Sequence, residues 1–358
     1  MRRILTGVAI GIAVVLCLSS RSGSAGDSAG APPAPGAPPQ HESEGRLLVV
    51  NKGDDSLMVF DVPSHTLVAT VPVDPEPHEV AVTPDGRKAY VSSVRGKSLS
   101  IVDLKHYKVT ATLKPDRVDY PHGMAVTPDG RRLLLTGEGS RRLYLIDTTR
   151  DVVERAVTTS QSGSHMVVLA KEGRRAWIAN RESESLSLYD LPTMRLIKTV
   201  KAGPGPEGIA LSPNGRWVVT ALQRAGQVAI IDAAQGQIVT RLPAGQTPIR
   251  VACPPKGLIA LVSNRDSDDL TIIDLAARQV LKTVPVGRRP GGVTTNLRGT
   301  RAYVSNTASG TVSIVALPGY EVTGTIAVGR NPDGIAFVPA PAHAPDRPPK
   351  RTKSGGGS

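Results

Sequence analysis

The chain has 358 residues and a formal net charge of +12, from 43 Lys and Arg against 31 Asp and Glu. Its 36 Gly and 30 Pro make about 18% of the chain, above the roughly 12% of ordinary globular proteins and below the ~25–30% of disordered ones. Gly without a three-residue period excludes collagen, and no apolar run reaches the about 20 residues of a membrane-spanning helix. Two cysteines, Cys17 and Cys253, exclude a disulfide-stapled scaffold.

In chain order, Met1-Arg2-Arg3 precedes a mostly apolar stretch from Ile4 to Leu18, the pattern of a secretory signal. Gly23-Ser24-Ala25 places small residues at a cleavage site after Ala25, so residues 1–25 are expected to be a signal peptide. Leu16 before Cys17 is bulky where a lipoprotein signal wants a small residue, and Arg2-Arg3 hints at twin-Arg export. The expected location is periplasmic or secreted. Residues 26–44 are a Pro-rich spacer, and residues 339–358 a basic tail with Arg347, Lys350, Arg351 and Lys353. After cleavage Cys253 is the only thiol; its apolar setting marks it as a small buried hydrophobe.

Between the tails the chain repeats itself. AYVSSVRGKSLSIVDL from Ala89, AWIANRESESLSLYDL from Ala176, ALVSNRDSDDLTIIDL from Ala260 and AYVSNTASGTVSIVAL from Ala302 align without gaps. The closing residue recurs as Asp61, Asp103, Asp147, Asp190, Asp232, Asp274 and Ala316, at steps of 42, 44, 43, 42, 42 and 42. Turn glycines Gly86, Gly130, Gly173, Gly215, Gly257 and Gly299 keep the same period. Each unit holds four β-branched or apolar runs bounded by Gly, Pro, Asn or Asp; in the last unit they are Ala302–Asn306, Thr311–Val315, Glu321–Val328 and Gly334–Val338. Four strands in about 42 residues is one propeller blade, and residues 45–338 hold seven units. The expected fold is therefore all-β, a seven-bladed β-propeller. The strand before each Pro-Asp-Gly turn is strand A. The core opens on a B strand at Arg46 and ends on an A strand at Val338, so the C-terminal A strand is expected to join the N-terminal B, C and D strands and close the ring.

The Ala-Tyr-Val-Ser-Asn and Val-Ser-Ile-Val runs, the Pro-x-Gly-Val/Ile-Ala strand and the Pro-Asp-Gly turn resemble the YVTN-repeat β-propeller family over the whole core. The resemblance implies fold more than function, since that family includes surface-layer and envelope proteins without assigned activity, and similar rings host lactonases, metal-dependent lyases, haem d1 and copper sites.

The Asp and Asn columns (Asn51, Asn180, Asn264, Asn306) read as turn and strand-end chemistry. The residue entering strand A differs: in order it is His78, His122, His165, Glu207, Ile249, Gly291 and Asp333. The core has five histidines, and three share this position on successive blades. The entry of the innermost strand faces the channel mouth, on the side of the D–A and B–C loops. Imidazoles with carboxylates are borderline-metal ligands, so His78, His122, His165, Glu207 and Asp333 are candidate ligands for a divalent metal, Cu, Zn or Mn. Duplication of one ancestral Pro-His-Gly explains the column equally. The D–A loops add Glu79, Tyr120, Arg250, Arg289 and Arg330 as candidate contacts for a small anionic ligand.

Aromatics at 3% argue against nucleic acid. The A–B turns carry eleven Lys and Arg, among them Arg87, Arg131, Arg174, Arg216 and Lys256, which suggests an anionic envelope component as partner. Within residues 45–338 neither a Gly-x-Ser-x-Gly elbow nor a P-loop is present. The expected function is an exported binding or scaffold protein holding a small ligand or metal at a His-rich channel mouth. The alternative is a metal-dependent lyase or lactonase, or a redox enzyme, using the same histidines.

Overall fold

The computed structural model describes residues 44–339. The expected signal peptide, nearly all of the spacer and the basic tail lie outside them. Among the described residues, twenty-eight strands form seven antiparallel sheets of four, with one short 3-10 turn at Gln223–Ala225. This is the seven-bladed propeller read from the repeat.

Blade 1 joins the two ends of the ring. Its A strand is Pro332–Pro339, followed in space by B (Gly45–Asn51), C (Ser56–Val62) and D (Leu67–Pro72). Leu48 pairs with Ala336 and Leu47 with Phe337. The remaining A strands are Pro77–Val82, Pro121–Val126, Ser164–Leu169, Pro206–Leu211, Pro248–Ala252 and Pro290–Thr295, for blades 2 to 7. Each A strand packs on the A strands of both neighbouring blades, so the seven line the central channel.

Packing follows the alternation of each strand. B and C strands are buried on both faces, because each blade is covered by its neighbours. Seven hydrophobic clusters result, one at each blade junction. Tyr90, Leu99 and Ile101 of blade 2 meet Leu133, Leu135 and Tyr144 of blade 3, and Leu47 and Val49 of blade 1 meet Tyr303 and Val312 of blade 7. The turns repeat as faithfully as the strands. The last turn residue is left-handed in all seven B–C, all seven C–D and all seven D–A connections, for example Lys97 (φ 49°), Tyr107 (φ 51°) and Tyr120 (φ 50°). These angles are turn geometry common to every blade. The Asp column caps its own turn, as expected: Asp103 Oδ1 accepts from Lys105 N at 2.7 Å and Asp274 Oδ1 from Ala276 N at 2.7 Å. The Asn column is likewise internal, with Asn180 donating to Ser187 and Asn306 to Ser313.

The basic A–B turns share their face with the C–D turns. Six capping aspartates therefore stand among those cations, and Lys88 and Arg132 are paired to Asp151 and Glu154. The positive excess of this face is smaller than the A–B turns alone suggest.

Candidate functional site

Every A strand carries a β-bulge at the position of the histidine column. His122 and Gly123 together face Thr136, where Pro121 pairs with Gly137 and Met124 with Leu135. The other blades show the same shift, as between Pro77 and Glu79 or Pro206 and Ile209. A bulge re-aims side chains beside a site, and here it turns the column into the channel mouth. The residue that the bulge faces then secures the next blade. Thr136 donates to the carbonyl of His165 at 2.6 Å, Ser92 to that of His122 at 3.0 Å, and Ser305 to that of Asp333 at 2.5 Å. In blades 3 and 7 glycine after the column residue fits this approach, since a Cβ on Gly123 or Gly292 would lie 2.4 Å from the next blade's carbonyl oxygen, whereas blade 2 makes the same contact with Glu79 there.

The three histidines are brought together as the column predicts. Ring centroids of His122 lie 3.8 Å from His165 and 4.7 Å from His78. Tyr120 lies parallel to His122 at 6.0 Å. His122 and His165 are 1% and 2% exposed. Glu207 and Asp333 complete the ring: His165 Nδ1 is 2.7 Å from Glu138, His165 Nε2 is 3.6 Å from Glu207, and His78 Nδ1 is 3.0 Å from Asp333. The last two are within ion-pair range without hydrogen-bond geometry.

Of the loop residues, Tyr120, Arg250 and Arg289 line a cavity of about 350 Å³ at this mouth. Glu79 lies at its base, bonded to Arg250. Arg330 does not reach it. Its guanidinium is on the exposed surface, bonded to Asp54 Oδ1 at 2.6 Å and to the Gly53 carbonyl, so Arg330 is set aside as a ligand contact.

The structure adds a second ring, formed by the residue that follows each B strand: Lys52, Glu138, Arg181, Gln223, Arg265 and Thr307, with Val94 in blade 2. All but Glu138 and Val94 line the cavity. This ring supplies the counter-charges, with Lys52 3.0 Å from Asp333 and Arg181 2.7 Å from Glu138. Its signal was in the sequence, one place beyond the Asn column.

Electrostatics divide the cluster. Burial, then the neighbouring His165 and His78, hold His122 well below the usual imidazole value, so it is neutral. Burial opposes charge on His165 too, but the Glu138 and Glu207 carboxylates outweigh it and raise its pKa. Burial also works against charge on Glu207, which its His165 and Arg250 neighbours nevertheless hold below the usual carboxylate range. Asp333 is likewise held low, by Lys52 and His78 against burial. Four carboxylates, Glu79, Glu138, Glu207 and Asp333, thus pair with Lys52, Arg181 and Arg250, and Arg265 and Arg289 also line the cavity. Four buried atoms here have no hydrogen-bond partner: His78 Nδ1, His122 Nδ1, His165 Nε2 and Glu207 Oε2. Among the described residues, no three His, Cys, Asp or Glu side chains converge as they stand on a point that would hold a metal ion.

Residues 132–253 match the family model of the cytochrome D1 haem domain. The match spans roughly a third of the chain and takes in Glu138, His165, Arg181, Glu207 and Arg250, but not His78, His122 or Asp333. It is a propeller model other than the YVTN repeat suggested by the motifs. No curated protein matches the chain in sequence. Among solved structures, the chain is similar to the hydrazine synthase of Kuenenia stuttgartiensis at 22% identity, TM-score 0.71, over 76% of this chain and 93% of that one. It is also similar to a functionally unknown protein of Desulfotomaculum acetoxidans DSM 771 at 12% identity, TM-score 0.73, over 82% of this chain and 99% of that one. At these identities the likeness is one of fold. No helix of the described residues is long and apolar enough to cross a membrane.

Proposed function

We propose that this is an exported binding propeller whose channel mouth holds one transition-metal ion through His78, His122 and His165, with Glu207 and Asp333 beside them. One observation carries it: four unpartnered buried atoms, on three histidines and a glutamate, fall in one cluster. Native proteins rarely leave buried polar atoms unpaired, and such groups point to a bound water or ion. The imidazoles fit a metal by donor chemistry and would have to turn about χ2 to share one. An imidazole-rich set favours copper or zinc over manganese. Bound there, the ion would supply Lewis acidity or, as copper, one-electron chemistry. The protein's part is to keep His122 neutral, to fix the ring backbones through Ser92, Thr136 and Ser305, and to shield the site from water. Export rests on the N-terminal sequence pattern. The basic A–B face supports at most weak, salt-sensitive attraction to an anionic envelope component.

The match to the cytochrome D1 haem domain favours a redox role as a second reading. The residues do not fit a haem-type group as they stand. The cavity is about 350 Å³, among the described residues Ile249 and Ala308 are its only aliphatic lining, and His122 has an imidazole from each neighbouring blade within 4.7 Å. A redox role would therefore rest on copper at the same histidines.

Titration of the metal-free protein with Cu²⁺ and with Co²⁺ tests this proposal. Ligand-field bands of imidazole ligation should appear at one equivalent and vanish in His122→Ala and His165→Ala. Spectra equal to those of the free ions would refute it. Titration with haem should leave the haem spectrum unchanged.

A further inference from the structure

Directly beneath the histidines an ion pair crosses the channel. Arg250, on the A strand of blade 6, donates from Nη2 and Nε to Glu79 Oε1 at 2.6 and 3.1 Å, and Glu79 stands on the A strand of blade 2. In a ring of seven these blades are three apart, the largest separation available. Nη1 of the same guanidinium reaches Glu207 of blade 5 at 3.3 Å and the Ile249 carbonyl at 3.3 Å. The side chains are 8%, 12% and 7% exposed for Arg250, Glu79 and Glu207, so the bridge sits out of water. Glu79 and Arg250 occupy the position after the histidine column. Four other blades have glycine there (Gly123, Gly208, Gly292, Gly334), and Met166 of blade 4 packs against the cluster at the blade 4–5 junction, which leaves these two long side chains free to meet.

We propose that the Glu79–Arg250–Glu207 bridge is a floor that closes the channel. The mouth cavity is then a one-ended pocket, and Arg250 is a positioning residue that holds Glu207 toward His165. The class of ligand follows. An ion or a molecule fitting about 350 Å³ enters and leaves by the same mouth, whereas a polymer chain cannot thread the ring. The inference deepens the binding-site reading and rests on it only for the pocket's purpose, because the floor can be tested with no metal present.

The test is imidazole C2-hydrogen exchange into deuterium oxide, read residue by residue by mass spectrometry on the full chain in chelator. The pH profile of exchange gives each imidazole its own pKa, and rates are compared as second-order constants for hydroxide on the protonated ring, which separates access from a shifted titration. In the native protein His122 and His165 should exchange slowly. Arg250→Ala should open the floor and raise the His122 rate by at least about tenfold. The double variant Glu79→Leu/Arg250→Met refills the bore with apolar volume, a replacement that buried ion pairs tolerate, and should return the rate to near native. A folded Arg250→Ala with an unchanged His122 rate overturns the proposal, as does a double variant as leaky as the single one. If Arg250→Ala does not fold, Glu79→Gln, which keeps size and loses charge, carries the test: a faster His122 supports the floor and an unchanged rate refutes it. Loss of metal binding without any change in exchange would count against the floor alone.

Discussion

A chain ended at Arg330 lacks the A strand of blade 1, and a control ended at Pro339 keeps it. The strand supplies Ile335, Phe337 and Val338, with Val338 fully buried and the other two half-buried in the clusters at the blade 7–1 and 1–2 junctions. Withdrawing that apolar surface stabilises the ring by on the order of 4–6 kcal/mol. Its loss also bares strand B, where Leu47, Leu48, Val49 and Val50 are wholly buried, as an open sheet edge. Against a total stability of ~5–15 kcal/mol, the shorter chain should be marginal. Calorimetry should show its midpoint lowered by roughly 10–20 °C, or no cooperative transition, relative to the control. A midpoint within about 3 °C of the control, with equal cooperativity, would refute closure by this strand as the source of ring stability.

Further outcomes follow from single sites. Gly292→Ala places a methyl 2.4 Å from the Asp333 carbonyl oxygen and should cost about 2–3 kcal/mol in urea denaturation. Gly257→Ala, with φ +82° and open space around it, should cost only the left-handed strain of about 1–2 kcal/mol; equal costs would count against the close blade approach. Thr127 and the Arg131 amide lower the Asp129 pKa, and Thr149 lowers that of Asp147. A depressed folded pKa gives stability that is complete above the unfolded value and is lost as pH falls through the folded one. The Asp129 share of the urea midpoint should therefore be complete above about pH 5 and be lost below about pH 4, where the native protein should fall more steeply than Asp129→Asn. Cys253 is half-buried at the edge of the blade 5–6 cluster, not fully buried as its apolar setting suggests, and desolvation pushes its thiol up to about 12, so labelling by a thiol reagent at neutral pH should be slower in the native protein than on unfolding.

How much of this was legible in the sequence differs by layer. Blade number, strand order and closure follow from two periodic columns, because each turn demands the same residue in every copy. Gly86 and Gly130 show this in the A–B turns, and Asp103 and Asp147 in the C–D turns. The histidine ring was legible for the same reason: one register position recurs at the same place on each blade. The bulge that aims it was not, since two residues facing one leave no mark in a one-dimensional pattern. The second ring of Lys52, Arg181 and Arg265 was hidden differently. These residues look like ordinary solvated loop positions, and only the placing of the B–C turns over the channel mouth gives them a shared purpose. Arg330 shows the reverse error. Its loop borders the mouth, but Asp54, 276 residues away in sequence, holds it on the outer surface, and nothing local announces a partner that distant.

Metal content of the full-length protein, exported into medium supplemented with copper and zinc and then freed of loosely bound ions, tests the central claim most directly. Close to one equivalent of a single metal should remain in the native protein and be lost in His78→Ala/His122→Ala/His165→Ala. Less than about a tenth of an equivalent in both, set against the need for neutral imidazole ligands at such a site, would contradict the claim that this histidine ring is a metal site.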